Sequence, residues 1–179
     1  MERLIEWLEQ SDFTGIVFAD KGKGTFPLSQ GYIDVTDAPD VVMSFRWYAD
    51  KNQFGVSGLI DADWNRPAGE GTHATLSPYD VHNTLIAAGP HLRRGFEDDL
   101  ATGNVDLAPT ILHLLGIAAP ARFRGRELAE AFIESEGSRS TSQESDSTVR
   151  VISNGKRSPR LKISSVHNSE YIDQGDNGH

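Results

Sequence analysis

Three short apolar runs constrain what this chain can become. Gly15-Ile16-Val17-Phe18-Ala19, Val41-Val42-Met43-Ser44-Phe45 and Thr84-Leu85-Ile86-Ala87-Ala88 are nearly continuous in apolar character and bounded by turn formers. Runs of that length are too short for amphipathic helices and far short of the ~20 residues a bilayer span needs. They fit strands buried on both faces, as parallel sheets require.

Helical signals surround these runs. At the start Leu4, Ile5 and Leu8 share one helical face, with Trp7 beside them and Glu2, Glu6 and Glu9 turned mostly outward. The best-marked helix follows Asp106, a good N-cap. Pro109 sits in its first turn, Ala108, Ile111, Leu112 and Leu115 form an apolar stripe, and Gly116 can end it. A further helix is expected after Gly125, with Leu128, Ala131 and Phe132 inward. Residues 51–78 hold no persistent period and are rich in Gly, Asp and Pro, so a long loop of the functional kind is expected there.

Composition changes abruptly after residue 134. Positions 135–147 carry six serines and no bulky apolar residue, and burial there cannot offset the entropy of ordering. A disordered connector is expected over 135–148. Beyond it Val149-Arg150-Val151-Ile152 reads as a strand. Leu161 to Val166 and Glu170-Tyr171-Ile172-Asp173 read as a hairpin closed at His167-Asn168-Ser169. The division is thus 1–134, 135–148 and 149–179.

Charge and composition exclude several functions. The 179 residues carry 17 Lys+Arg against 26 Asp+Glu, a formal charge of −9, which argues against a broad contact with a nucleic-acid duplex. Zero cysteines exclude disulfides, thiol catalysis and Cys-ligated metals. No apolar stretch suits a membrane partner. The start, Met1-Glu2-Arg3-Leu4-Ile5-Glu6, lacks the basic and apolar regions of a signal peptide, so a cytoplasmic location is expected if Met1 is the true start.

Two motifs invite chemistry. Gly22-Lys23-Gly24-Thr25 lacks the earlier glycine of a phosphate loop, and Pro27 stands where the helix should begin, so a plain turn is the better account. Gly69-Glu70-Gly71-Thr72-His73-Ala74-Thr75 is more informative, because glycines let the backbone approach another group closely and could hold the His73 imidazole at a fixed angle. One histidine is not a zinc site, which usually takes three or four ligands. Asp61, Asp63 and Glu70 lie near it in sequence without a spacing that forces convergence. His82 adjoins a strand candidate, His91 lies past the Gly89-Pro90 turn, and His113 suits a partly buried structural role.

Several blocks in order carry a resemblance. Gly71-Thr72-His73, Leu76-Ser77-Pro78-Tyr79-Asp80-Val81-His82-Asn83-Thr84, Ala87-Ala88-Gly89-Pro90, Gly103-Asn104-Val105-Asp106-Leu107-Ala108-Pro109-Thr110-Ile111-Leu112 and Leu114-Leu115-Gly116-Ile117 resemble the C-terminal part of the alkaline phosphatase superfamily. The nearest branch is type I phosphodiesterase/nucleotide pyrophosphatase, with sulfatases next. Phe123-Arg124-Gly125-Arg126-Glu127-Leu128 resembles the continuation of that pattern, and the segment from Leu161 to Asp173 resembles a family C-terminal hairpin.

The resemblance implies an α/β sandwich with a mostly parallel sheet, here its C-terminal part plus a C-terminal β-hairpin. It implies a two-metal site, commonly zinc, at which a Thr or Ser nucleophile attacks phosphorus. It makes His73 one metal ligand and implies a small-molecule phosphate ester as substrate of the parent enzyme. The chain departs from the pattern in two ways. It contains no Asp-His dipeptide, and Ala74 stands where the family usually has glycine. The family's nucleophile and first metal Asp belong before Met1 in its order, so the chain is expected to be a C-terminal fragment of a hydrolase, inactive by itself, with no catalytic residue of its own. A noncatalytic binding or regulatory module, a sulfatase fragment and complementation by a separate N-terminal chain are the alternatives. Strands that have lost neighbours should leave an exposed sheet edge, through which self-association is expected.

Overall fold

A computed structural model describes residues 1–33, 35–61, 75–133, 145–152 and 157–178. It is mixed α/β, with small antiparallel pairings and few helices. The chain divides into two compact units. One comprises Met1–Asn83, Thr148–Ile163 and Ile172–His179, and the other Thr84–Ser147 and Ser164–Tyr171. Among the described residues no helix is long and apolar enough to cross a membrane.

The first unit is built around strand β1 (Thr14–Phe18), buried at every position. Helix α1 (Glu2–Gln10) precedes it and buries Ile5 and Leu8, while Leu4 and Trp7 remain exposed. The Ser11 hydroxyl ends that helix by donating to the Trp7 carbonyl at 2.8 Å. Strand β2 (Val42–Phe45) pairs with β1, and the pairing is antiparallel, not the parallel arrangement expected of two runs buried on both faces. On its other edge β1 meets Phe26 in a short parallel bridge. Ala19 N–H donates to the Phe26 carbonyl at 2.8 Å, and Phe26 N–H donates to Val17 at 3.0 Å. Burial on both faces thus comes from antiparallel neighbours and a returning loop, because apolar continuity specifies cover without specifying strand direction.

The core of this unit is Ile16, Phe18, Phe26 and Leu28 packed with Leu161 and Ile163 from the far end of the chain. A hairpin that the sequence pattern did not reveal follows β2. Strands β3 (Trp47–Lys51) and β4 (Ser57–Ile60) pair antiparallel, and β4 lies within the stretch 51–78 expected to be loop. Its turn is folded by Asn52, whose Oδ1 accepts from Phe54 N–H at 2.9 Å and Val56 N–H at 3.0 Å. An asparagine side chain used this way replaces a backbone turn bond, so the strands need no alternation to be specified.

Strands β5 (Asp146–Val151), β6 (Arg160–Val166) and β7 (Ser169–Asp176) form a three-stranded sheet in that order. The hairpin of β6 and β7 lies where the sequence placed it, and its two-residue turn puts His167 in the left-handed region at φ 53°. Strand β5 begins at Asp146, inside the expected connector. Residues 135–144 of the expected connector lie outside the described residues.

The second unit holds short helix α2's successor in the chain, α3 (Leu107–Leu114), with α2 itself (Pro78–Val81) in the first unit. The helix α3 ends as expected, with Gly116 at φ 70°. Asp106 precedes it but does not cap it with its side chain. Its fully buried carboxylate instead accepts from Gly103 N–H at 2.9 Å, Arg126 N–H at 2.8 Å and the Tyr171 hydroxyl at 3.1 Å. A buried carboxylate needs such donors to offset lost hydration. Burial, then the Asp106 charge, pushes the Tyr171 phenol up to about 12.

Two expectations for this unit are corrected. Residues 84–88 form no strand, and Ile86 is 87% exposed, because among the described residues no strand pairs with the run. After Gly125 a single 3-10 turn (Ala129–Ala131) replaces the expected helix, although Leu128 and Phe132 are buried as expected. The core of the first unit generates a test. Phe26→Ala is expected to lower stability by about 3–5 kcal/mol, measured as a lower urea midpoint at unchanged slope.

Candidate functional site

The segment that carries His73 is framed by residues of the first unit. His73, with Asp63 and Glu70, lies outside the described residues, which resume at Thr75. The two flanks are held side by side. Asp61 N–H donates to the Arg46 carbonyl at 2.9 Å, and Thr75 makes a parallel bridge with Phe45. Consecutive residues of one strand end therefore anchor both flanks.

The downstream flank is tied down most heavily. Thr75 is buried, and its hydroxyl bonds the Asp80 carboxylate. Ser77 caps α2 by accepting from Tyr79 N–H at 3.1 Å, and Pro78 occupies the first helical position. The Tyr79 ring lies over Gly58 of β4, which has φ 96°, and a Cβ there would approach the ring to 2.9 Å. Tyr79 also meets the edge of Trp47 with centroids 6.2 Å apart. Strand β7 closes the arrangement. Gly175 N–H donates to the Leu76 carbonyl at 2.7 Å, and Trp47 Nε1 donates to the Gly175 carbonyl at 2.7 Å.

A charged latch completes this flank. His82 Nε2 lies 2.7 Å from Asp173 Oδ1, and Lys162 Nζ bonds the other carboxylate oxygen. Burial works to raise the Asp173 pKa, but the hydrogen bonds from Lys162 and His82, with their charges, hold it below the ordinary 3.8. Nothing in the sequence pointed to Asp173 as a partner of His82, since the two are 91 residues apart. Only the return of β7 across Leu76 brings them together.

The remaining candidates are engaged elsewhere. Asp61 Oδ2 accepts from the Tyr48 hydroxyl at 2.6 Å, and that bond, with burial, holds the phenol above its usual 10.0. In the second unit His113 pairs with Glu127 at 2.9 Å and stacks on Phe132 at 4.7 Å, a structural role with the ring half exposed. Among the described residues no three His, Asp or Glu side chains converge on a point that could hold a metal ion. The described residues therefore do not by themselves fit a zinc centre.

The latch makes a pH prediction. The folded pKa of Asp173 is depressed, so its contribution is complete above the unfolded value of about 3.9 and is lost as pH falls through the lower folded value. Asp173→Asn is expected to lower stability by roughly 0.5–1 kcal/mol near neutrality, since His82 and Lys162 are about half exposed and water screens them. That deficit should shrink as pH falls through the folded value and be gone once the carboxyl is protonated in both states. Thermal melts of both proteins from pH 2.5 to 7 check it, and a deficit independent of pH would remove the charge from the account.

Over 52 residues the chain is 38% identical to a protein described as a putative extracellular sulfatase Sulf-1 homolog from Caenorhabditis elegans. The match covers 29% of this chain, and the chain spans 7% of that relative's length. No family model matches the chain, and no solved structure matches it. The local likeness supports the alkaline phosphatase superfamily and does not select its phosphodiesterase branch.

Proposed function

We propose that this chain is the C-terminal portion of a metal-dependent ester hydrolase of the alkaline phosphatase superfamily, acting on small phosphoric esters of the phosphodiesterase/nucleotide pyrophosphatase type. His73 is its contribution to a divalent metal site, with zinc as the metal. The observation that carries the proposal is the ordered set of blocks from Gly71 to Ile117, supported by the local likeness to a sulfatase.

The 179 residues alone are inactive in this account. A zinc site takes three or four protein ligands, and this chain offers His73 without the family's Asp-His pair. The nucleophile, the other ligands and the substrate contacts come from further polypeptide. A sulfate ester is the second substrate class, favoured by the description of the matched relative.

The test joins metal binding to catalysis. The isolated chain, titrated with zinc against a chromogenic chelator, is expected to show no tight stoichiometric binding and no hydrolysis of bis(p-nitrophenyl) phosphate or p-nitrophenyl sulfate. A polypeptide extended through the upstream coding sequence is expected to supply an in-frame Asp-His pair and a Thr or Ser nucleophile, and to hydrolyse one of the two esters. His73→Ala should lower that activity about 100-fold or more, beyond the 10–100-fold typical of a residue behind the ligands. Tight zinc binding with hydrolysis by the isolated chain would overturn the inactive-fragment account. An extended enzyme indifferent to His73→Ala would remove His73 from it.

A further inference from the structure

Residues 97–99 set three carboxyl groups in succession, Glu97-Asp98-Asp99, on a chain that already carries a formal charge of −9. All three residues are exposed, while Leu100 and Ala101 after them are half-buried. The middle carboxyl has an unexpected neighbour. Asp98 lies within hydrogen-bond reach of the carboxyl of Glu130, which stands on the 3-10 turn Ala129–Ala131. Both residues belong to the second unit. Two ionised carboxylates offer only acceptors and repel each other, so a hydrogen bond between them requires a proton on the pair.

Glu130 is itself firmly placed. Its two carboxylate oxygens lie 2.7 and 2.9 Å from Arg126 Nη1, and the two side chains are only 12% and 10% exposed. Arg126 Nη2 also donates to the Ala101 carbonyl at 3.2 Å, and Arg93 Nη1 donates to the Glu130 carbonyl at 3.0 Å. Leu100 N–H donates to Asp98 Oδ1 at 3.0 Å. Residues 98–101 are thus held at one end by Glu130 and at the other by Arg126.

We propose that Asp98 and Glu130 share one proton, and that this proton is a clasp that holds residues 98–101 shut in acid and releases them as it leaves. The surrounding charges set the direction. Arg126 favours an anion at either carboxyl, but its Nη1 is already taken by Glu130. Glu97 and Asp99, beside Asp98 in the chain, oppose one more negative charge. The Arg93 guanidinium is held over the Phe96 ring, 4.4 Å from its centroid. The Asp106 carboxylate already accepts from Gly103, Arg126 and Tyr171, and the Tyr171 phenol, pushed up to about 12, stays protonated throughout.

Burial, with the hydrogen bond and charge of Glu130, raises the Asp98 pKa above its ordinary 3.8, against the Leu100 N–H and the Arg126 charge, which lower it. With the folded value above the unfolded one, the clasp is complete below the ordinary value. It is lost as pH rises through the higher folded value. Near neutrality residues 98–101 keep the hold of Arg126 on Ala101 and lose that of Glu130 on Asp98.

Amide hydrogen exchange of the full chain between pH 4 and 7 tests the proposal, read as protection of the Leu100 N–H after correction for intrinsic exchange. Protection is expected to fall about 2–5-fold across that range, the scale of a partly exposed charge contact. Asp98→Asn keeps the acceptor for Leu100 and gives Glu130 a permanent donor, so its protection should stay high and flat. Asp99→Asn removes an equal charge one residue further on and should retain the pH dependence of the parent. The carbon-13 shift of the Asp98 carboxyl should titrate above the ordinary value. Glu130→Gln, whose amide donates without a shared proton, should lower that midpoint, and Asp98→Asn decides the matter if Glu130→Gln does not fold. Protection independent of pH in the parent, an equal fall in Asp98→Asn, a flat profile in Asp99→Asn, or a midpoint at or below the ordinary value would overturn the clasp.

Discussion

The first unit rests on the exclusion of water from β1. Its five residues are buried on both faces, and cover is drawn from three distant parts of the sequence: β2, the loop through Phe26 and Leu28, and Leu161 with Ile163 near the C-terminus. Burial of a large aliphatic or aromatic side chain contributes about 1.5–3 kcal/mol, so a strand of this kind is stabilised only when all its neighbours arrive. Closing the chain between residue 16 and residue 161 costs loop entropy that grows slowly with length. The segments Thr148–Ile163 and Ile172–His179 are therefore structural parts of this unit and not an appendage to it.

That closure also fixes the segment that begins at Thr75. Because β6 lies in the core, β7 is brought beside Leu76, where Gly175 takes and gives a backbone hydrogen bond and Asp173 reaches His82. The opposite flank is fixed by Arg46, next to the residue that bridges Thr75. Most of the restraint comes from neutral hydrogen bonds and packing, while the Lys162–Asp173–His82 group adds a small, pH-dependent share.

The helix α3 shows how far periodicity alone can be taken. Its existence, its start after Asp106 and its end at Gly116 were all legible, since capping chemistry and apolar spacing are local. Its orientation was not. Of the stripe that the sequence pattern assigns to a core, Ala108, Ile111 and Leu115 are exposed and Leu112 is only partly buried, and Asp106 is spent on Gly103, Arg126 and Tyr171 in place of the helix N-terminus. The residues 84–88 repeat the lesson: an apolar run becomes a strand only where a neighbour offers its backbone groups, and among the described residues none does.

Sequence by itself determined the local facts: the first helix, the positions of β1 and β2, the tight β6–β7 turn and the blocks that resemble one superfamily. Each depends on residues within a few positions of one another, or on a chain of short-range signals in order. Tertiary structure alone decided the direction of the β1–β2 pairing, the hairpin folded by Asn52, the meeting of His82 with Asp173 and the outward turn of α3. These depend on which distant segments share a buried volume, and the free energy of that choice is a sum over contacts that no local window contains.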